Sequence, residues 1–454
     1  MKTVKKLFAL ALALVMVLSL GAVAFADAAQ KDPTEGVEPA ALTGEKLVVW
    51  TLAEDLQYFA ERYQAVTGVE MEVVTIAPED YPTKVQTALV GGETEPDIIV
   101  GEPQMLGDMF SYGAFADLDA FGAEDYADKI IDYVWEVGQD ENGVLRAISY
   151  QVSPAGLYYR RDIAEKVFGT DDPDEVGKLF ADYPTILETA QTLKDAGYRI
   201  FSSDSEIGFF SGQEPWVVDG KLNLAQARLD YMDLVVALYQ GDLTAYTSQW
   251  STPWYQAMGG PVPILAADSD VNVWASEEEY AAATEGMEET ECFAFGLPTW
   301  GVITMEPHWG ETTGKWGICS GPDYGFSGGT WIGISELSEK KDLAWDFVKW
   351  VTLDEETSEW WVEFKNDIVS MKSVLEAHKD DASELFGGQH TNAFWQKQAE
   401  GIDYSKVTPY DKIIGDAWGA AISSVKTGEA TKEEAIEEFY DTVAYTYPEI
   451  EIER

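Results

Sequence analysis

Cations are scarce in this chain. Thirty lysines and arginines stand against 81 aspartates and glutamates, a formal net charge of −51 over 454 residues. Such a surface repels phosphate backbones and anionic headgroups, so nucleic acid and anionic membrane surfaces are excluded as partners. The acid excess itself reads first as a solvated surface. Histidine and cysteine are rarer still: His308, His378, His390, Cys292 and Cys319 show no zinc-ligand spacing, so no metal site is expected. The two cysteines allow one disulfide, with a pair of buried thiols the equal alternative. No H-E-x-x-H pair and no phosphate-binding loop occurs. Beyond the N-terminus no apolar run reaches the ~20 residues of a membrane span.

What is there begins with an export signal. MKTVKK is basic, LFALALALVMVLSLGAVA is apolar, and Ala24-Phe25-Ala26 is a small-residue cleavage site. Residues 1–26 are therefore expected to be a signal peptide. Cleavage would remove three lysines and take the net charge from −51 to −54. Asp27 follows the site, not the cysteine that would accept a lipid. The protein is expected outside the cytoplasm, extracellular or periplasmic and associated with the envelope without a lipid anchor. Residues 27–45, with Pro33, Gly36, Pro39 and Gly44 among charges, read as a flexible spacer.

The body reads as α/β. KLVVWTL (46–52) is a buried-type strand, and Leu56, Phe59, Ala60, Tyr63 and Val66 recur at helical steps until Gly68. VEMEVVTI (69–76), the helical stretch YPTKVQTALVGG and the strand PDIIV (96–100) continue a βαβαβ order, which predicts a parallel sheet flanked by helices. A second α/β block runs from GLYYRRDI (156–163) through helices over 184–196 and 223–239 to the strand PVPILAA (261–267). A third region holds WGICSGP (316–322) and SGGTWIGIS (327–335). It ends in a helix in which Leu343, Phe347 and Val351 face a sheet, with Trp345 and Trp350 assigned to packing.

Taken together these segments resemble the family-1 extracellular solute-binding proteins of ABC importers, the carbohydrate binders that include maltose-binding protein. The resemblance rests on KVQTALVGGETEPDIIV (84–100), AISYQVSPAGLYYRRDI (147–163), PTILETAQTLKDAGY (184–198), GGTWIGIS with KKDLAWDFVKWVT (340–352), and NDIVSMKSVLEA (366–377), in that order. It implies a two-lobed, type II periplasmic-binding-protein-like fold, each lobe a mainly parallel sheet between helices. Lobe I would comprise 46–150 plus 321–366, and lobe II 151–320 plus 367–454. Crossovers are expected near Tyr150–Ser153, Ile318–Pro322 and Lys365–Ser370, with a ligand cleft between the lobes and hinge closure around it. The implied protein is a monomer that passes a small carbohydrate to the transmembrane subunits of an ABC permease, with no catalytic residues and no cofactor.

Sugars present apolar C–H faces and rings of hydroxyls, so a binder needs flat aromatics beside donors and acceptors. The chain has 16 Trp and 22 Tyr. Ligands of open α/β sheets sit beyond strand carboxyl ends, which nominates Trp50 and Glu102, with Glu54 a weaker candidate. Gln151 lies in the first crossover, and Asp204 follows the strand RIFSS. Trp274 and Trp331 stand at strand ends; the resemblance implies that the loop before the strand of Trp331 faces the cleft, so that Trp331 would stack on a sugar while Gly328 and Gly329 admit it. Each of these tryptophans is otherwise a packing residue. A cationic or amino-acid-type solute in the same fold, a secreted carbohydrate-active enzyme, and an adhesin or scaffold are the competing readings. A glycosidase would need a pair of carboxylates ~5–9.5 Å apart, and no pair stands out among the acids.

Overall fold

The computed structural model describes residues 31–212, 214–403 and 408–454. The expected signal peptide and the start of the spacer lie outside them. The two larger sheets are built from β1 (Lys46–Thr51), β2 (Glu70–Thr75), β3 (Ile98–Gly101), β4 (Ile148–Ser149), β5 (Ala155–Arg160), β6 (Arg199–Phe201), β7 (Cys292–Pro298), β8 (Trp316–Cys319) and β9 (Trp331–Ile334). The first sheet has the order β2-β1-β3-β9-β4 and the second β8-β5-β7-β6. The main helices are α1 (Asp55–Thr67), α2 (Tyr81–Gly91), α3 (Pro103–Ser111), α4 (Asp132–Val137), α5 (Tyr183–Asp195), α6 (Gln226–Gln240), α7 (Lys341–Leu353), α8 (Glu355–Lys365), α9 (Asp411–Thr427) and α10 (Lys432–Thr446).

The expected βαβαβ start is present: β1 pairs in parallel with both β2 and β3. The expectation of mainly parallel sheets holds for these strands and for β6 with β7, which also run parallel. β9 runs antiparallel to β3 and β4, and β5 antiparallel to β7 and β8. The reason is topological. β5 and β9 each begin where the chain arrives from the other sheet, so they start at the edge where β1, β3, β7 and β8 end. Trp331 at the start of β9 lies opposite Gly101 at the end of β3, and Ala155 opposite Pro298. The carboxyl ends of β1, β3, β6, β7 and β8 therefore face one cleft.

Three segments span that cleft: 150–154, 320–330 and 366–370. They are tied side by side. Val152 N–H donates to Ile368 O and Ser370 N–H to Tyr150 O, while Ser327 N–H donates to Ser153 O and the Ser153 hydroxyl to Gly328 O. Asn366 turns the third segment out of α8 in a left-handed conformation, φ 55°.

One core runs from the first sheet onto a face of the second at Tyr158, Phe295, Trp316 and Ile318, a second packs the opposite face at Leu157, Tyr159, Phe201 and Phe293, and a third joins Trp216 and Met232 to Trp418, Phe439 and Val443 on α9 and α10. Cys292 and Cys319 are buried free thiols. Residues 31–45, expected to be a flexible spacer, lie along α1: Ala40 N–H donates to Ala65 O, Thr43 N–H to Gly68 O, and Arg62 Nη1 to Pro33 O.

One buried carboxylate fixes the first sheet to α7. Asp97, fully buried, accepts from Val48 N (3.0 Å), Ser338 Oγ (2.7 Å) and Lys340 Nζ (2.9 Å). Asp97→Ala is expected to cost about 2–3 kcal/mol in urea unfolding, because buried donors lose their acceptor.

Candidate ligand-binding cleft

Between the sheets lies a cavity of about 960 Å³. Its two walls differ in chemistry. The wall on the first sheet carries Glu54, Asp55 and Tyr58 at the start of α1, Glu102 and Gln104 at the start of α3, Lys365 at the end of α8 and Asp367 just after it. The wall on the second sheet carries Phe209, Gln249, Trp250, Trp300 and Ile303. Gln151 and residues 327–330 of the crossovers close the back.

The aromatic wall is built at strand ends. Trp300 follows β7, and its Nε1 donates to Ser327 O at 3.0 Å. Trp250 stacks on it, ring centroids 5.9 Å apart at 28°, and leans on Trp254 at 4.9 Å. Trp250 holds φ 71° and remains 39% exposed. A bulky residue in the left-handed region is strained, and such strain gathers at functional positions. Behind it Glu206, fully buried, accepts from Trp254 Nε1 (2.6 Å) and Gly296 N (3.1 Å). Gln249 Nε2 is buried without a hydrogen-bond partner among the described residues.

Burial pushes the Glu206 carboxyl up to about 8, so it holds its proton at neutral pH. An unfolded glutamate releases its proton near pH ~4.3. The folded state therefore binds the proton more tightly, and stability falls as pH rises from that value toward 8. Glu206→Gln removes this slope. Because an amide nitrogen cannot accept from both N–H donors, the variant is expected to be less stable than wild type at about pH 5, with the gap narrowing by about pH 8. Thermal melts of both proteins at the two pH values measure it.

On the polar wall, Asp55 accepts from Tyr150 OH (3.0 Å) and Asp367 from Trp361 Nε1 (2.9 Å). Burial raises Asp55 and Glu102, and burial with the nearby Asp55 charge raises Asp367 to about 7. Gln104 donates to Glu102. Lys365 Nζ sits 3.9 Å above the Tyr58 ring.

The structure brings together Glu102, Gln151, Gly328 and Gly329 of the residues nominated from sequence, along with Glu54. Four others lie elsewhere. Trp331 is fully buried and its Nε1 donates to Val134 O of α4 at 2.9 Å, so it packs the core. β9 is an interior strand covered on both faces, so its second face is core as well. Trp50 packs beside the first core with Lys84 Nζ 4.8 Å over its ring. Asp204 pairs with Lys426 of α9 at 2.8 Å. Trp274 is 62% exposed on a loop away from the cavity. Gly328 and Gly329 have φ 71° and 98°, and a Cβ on them would meet Trp300 at 3.1 Å and Trp331 at 2.7 Å. The two glycines thus let the crossover pass between two tryptophans.

Residues 325–329 also spell Gly-Phe-Ser-Gly-Gly, the spacing of a hydrolase nucleophile elbow. That elbow is a strand-to-helix turn. Here the stretch lies in the crossover and leads into β9.

The sequence profile of the bacterial extracellular solute-binding proteins matches residues 59–386. The chain belongs to that family. Solved structures share the fold across nearly its whole length. A protein described as extracellular solute-binding protein family 1 is 16% identical, with a TM-score of 0.74, over 88% of this chain and 99% of its own. The galacto-N-biose/lacto-N-biose I-binding protein of the ABC transporter from Bifidobacterium longum, solved with lacto-N-biose, is 13% identical, with a TM-score of 0.68, over 90% and 98%. The sugar-binding protein MalE from Xanthomonas citri is 15% identical, with a TM-score of 0.66, over 88% and 96%. In this solute-binding protein, Asp55, Tyr58, Phe209, Gln249, Trp250, Trp300, Lys365 and Asp367 were not nominated from sequence. Trp300 at a strand end and Asp367 in the crossover NDIVS carried a positional signal. The others meet only through the fold.

Proposed function

We propose that this protein captures a carbohydrate between the two walls and delivers it to the transmembrane subunits of an ABC permease. The observation that carries the reading is the Trp250–Trp300 stack facing donors and acceptors across one cavity. The indoles take a C–H face, and Glu54, Asp55, Glu102, Gln104 and Gln151 take hydroxyls. A cavity of about 960 Å³ suits an oligosaccharide better than a lone hexose, being at the upper end of small-molecule sites. The crossovers at 150–154, 320–330 and 366–370 would act as the hinge, dividing the chain into lobes close to 46–150 plus 321–366 and 151–320 plus 367–454. The basic and apolar N-terminus supports export, and no helix among the described residues is long and apolar enough to cross a membrane. The carried sugar is released unchanged.

A thermal-shift panel of mono- and oligosaccharides, polyamines and amino acids tests this. Ligand at ~100 times its dissociation constant stabilises by roughly 2.7 kcal/mol. A rise in Tm confined to sugars, with the sugar recovered uncleaved, is the expected result. A rise with polyamines or amino acids alone would replace the cargo.

A further inference from the structure

The charges of the cavity are one-sided. Glu54, Asp55, Glu102 and Asp367 share its polar wall with a single cation, Lys365, whose ammonium lies over Tyr58. Among the described residues none of the four carboxylates is in an ion pair. Elsewhere the protein compensates acids withdrawn from solvent. Asp97 meets Lys340, Asp140 meets Arg146 and Asp204 meets Lys426. Glu206 reaches the same end by keeping its proton. The carboxylates of this wall have only single hydrogen bonds from Tyr150, Gln104 and Trp361 and the nearby charge of Lys365; they face an aromatic wall, and closing the cleft on a ligand would remove more of their water. Burying charges without a partner is costly.

We propose that the physiological ligand is a sugar bearing a protonated amine, its ring face on Trp250 and Trp300 and its ammonium against Asp55, Glu102 and Asp367. The inference rests on the carbohydrate reading and narrows it. A cation between those carboxylates adds to the one charge, Lys365, that now offsets Asp55 and Asp367, and aromatic faces add cation–π attraction. The same charge makes binding depend on pH. The titratable and charged groups facing the ammonium are Glu54, Asp55, Glu102, Asp367, Lys365 and the Tyr58 and Tyr150 hydroxyls. Of these, Asp55, Glu102 and Asp367 hold protons to higher pH than usual. Ionisation of Asp367, raised to about 7, therefore strengthens binding of the amine as pH climbs toward neutrality, until the sugar's own ammonium begins to lose its proton.

Calorimetry with matched pairs decides it: glucose and glucosamine, galactose and galactosamine, cellobiose and the β-1,4-linked glucosamine disaccharide. The expected result is that the amine member of a binding pair is held about tenfold more tightly or better. The advantage should shrink with added salt and collapse in Asp367→Asn. Neutral members binding as tightly would overturn this inference and leave carbohydrate capture standing. Binding of no sugar in these pairs or in the wider oligosaccharide panel would overturn both, and binding of spermidine alone would give the site to polyamines.

Discussion

Trp331→Ala is expected to cost about 3–5 kcal/mol of stability, the range for truncating a buried tryptophan. The ring is fully buried between the first sheet and α4, with its Nε1 bonded to Val134 O. Truncation leaves a cavity and an unpaired carbonyl. Gly329 packs closely on the ring edge, so the crossover loses that contact as well. Urea unfolding measures the loss. Variant protein that remains folded should still bind ligand within a few-fold of wild type, since no atom of the ring lines the cleft. A variant of full stability with lost affinity would return Trp331 to the site.

Trp250→Gly should do the reverse. The residue is 39% exposed and held at φ 71°, a conformation glycine adopts without strain. Relief of that strain offsets part of the packing lost against Trp254 and Trp300, so the variant is expected to unfold within a few degrees of wild type. Its affinity should fall about tenfold. An indole has roughly 150–250 Å² to cover. A sugar covering about a third of it gains on the order of 1–2 kcal/mol at ~25 cal/mol per Å². Trp300→Ala should lose as much affinity and some stability besides, since it also releases the bond to Ser327 O. A Trp250→Gly protein with full affinity would remove the stack from the account.

The contrast between these tryptophans shows how far the sequence carries. A strand end is a local pattern, so Glu102 was legible from its position, whereas Gln151, Gly328 and Gly329 were nominated through the family resemblance that placed the crossovers. Which way a side chain points from such a place was not. Trp331 looked free because Ile332 and Ile334 share the opposite face, yet α4, almost two hundred residues earlier, covers its own. Asp204 does follow a strand end, but Lys426 on a late helix takes its carboxylate. Asp55, Trp250, Trp300 and Asp367 come from four distant segments that only the arrangement of the two sheets and three crossovers assembles. The βαβαβ start was readable because it is periodic. The antiparallel entry of β5 and β9 follows from the chain's repeated crossing, which no window of sequence contains.

The most direct test of carbohydrate capture is a crystal structure of the protein with the sugar that raises its Tm most. The sugar should lie between the two walls, a ring face against Trp250 or Trp300 and polar groups within hydrogen-bond distance of Glu102, Gln151 and Asp367. A sugar bound elsewhere, against the exposed Trp274 or beside the Asp204–Lys426 pair, with the cleft empty, would contradict it.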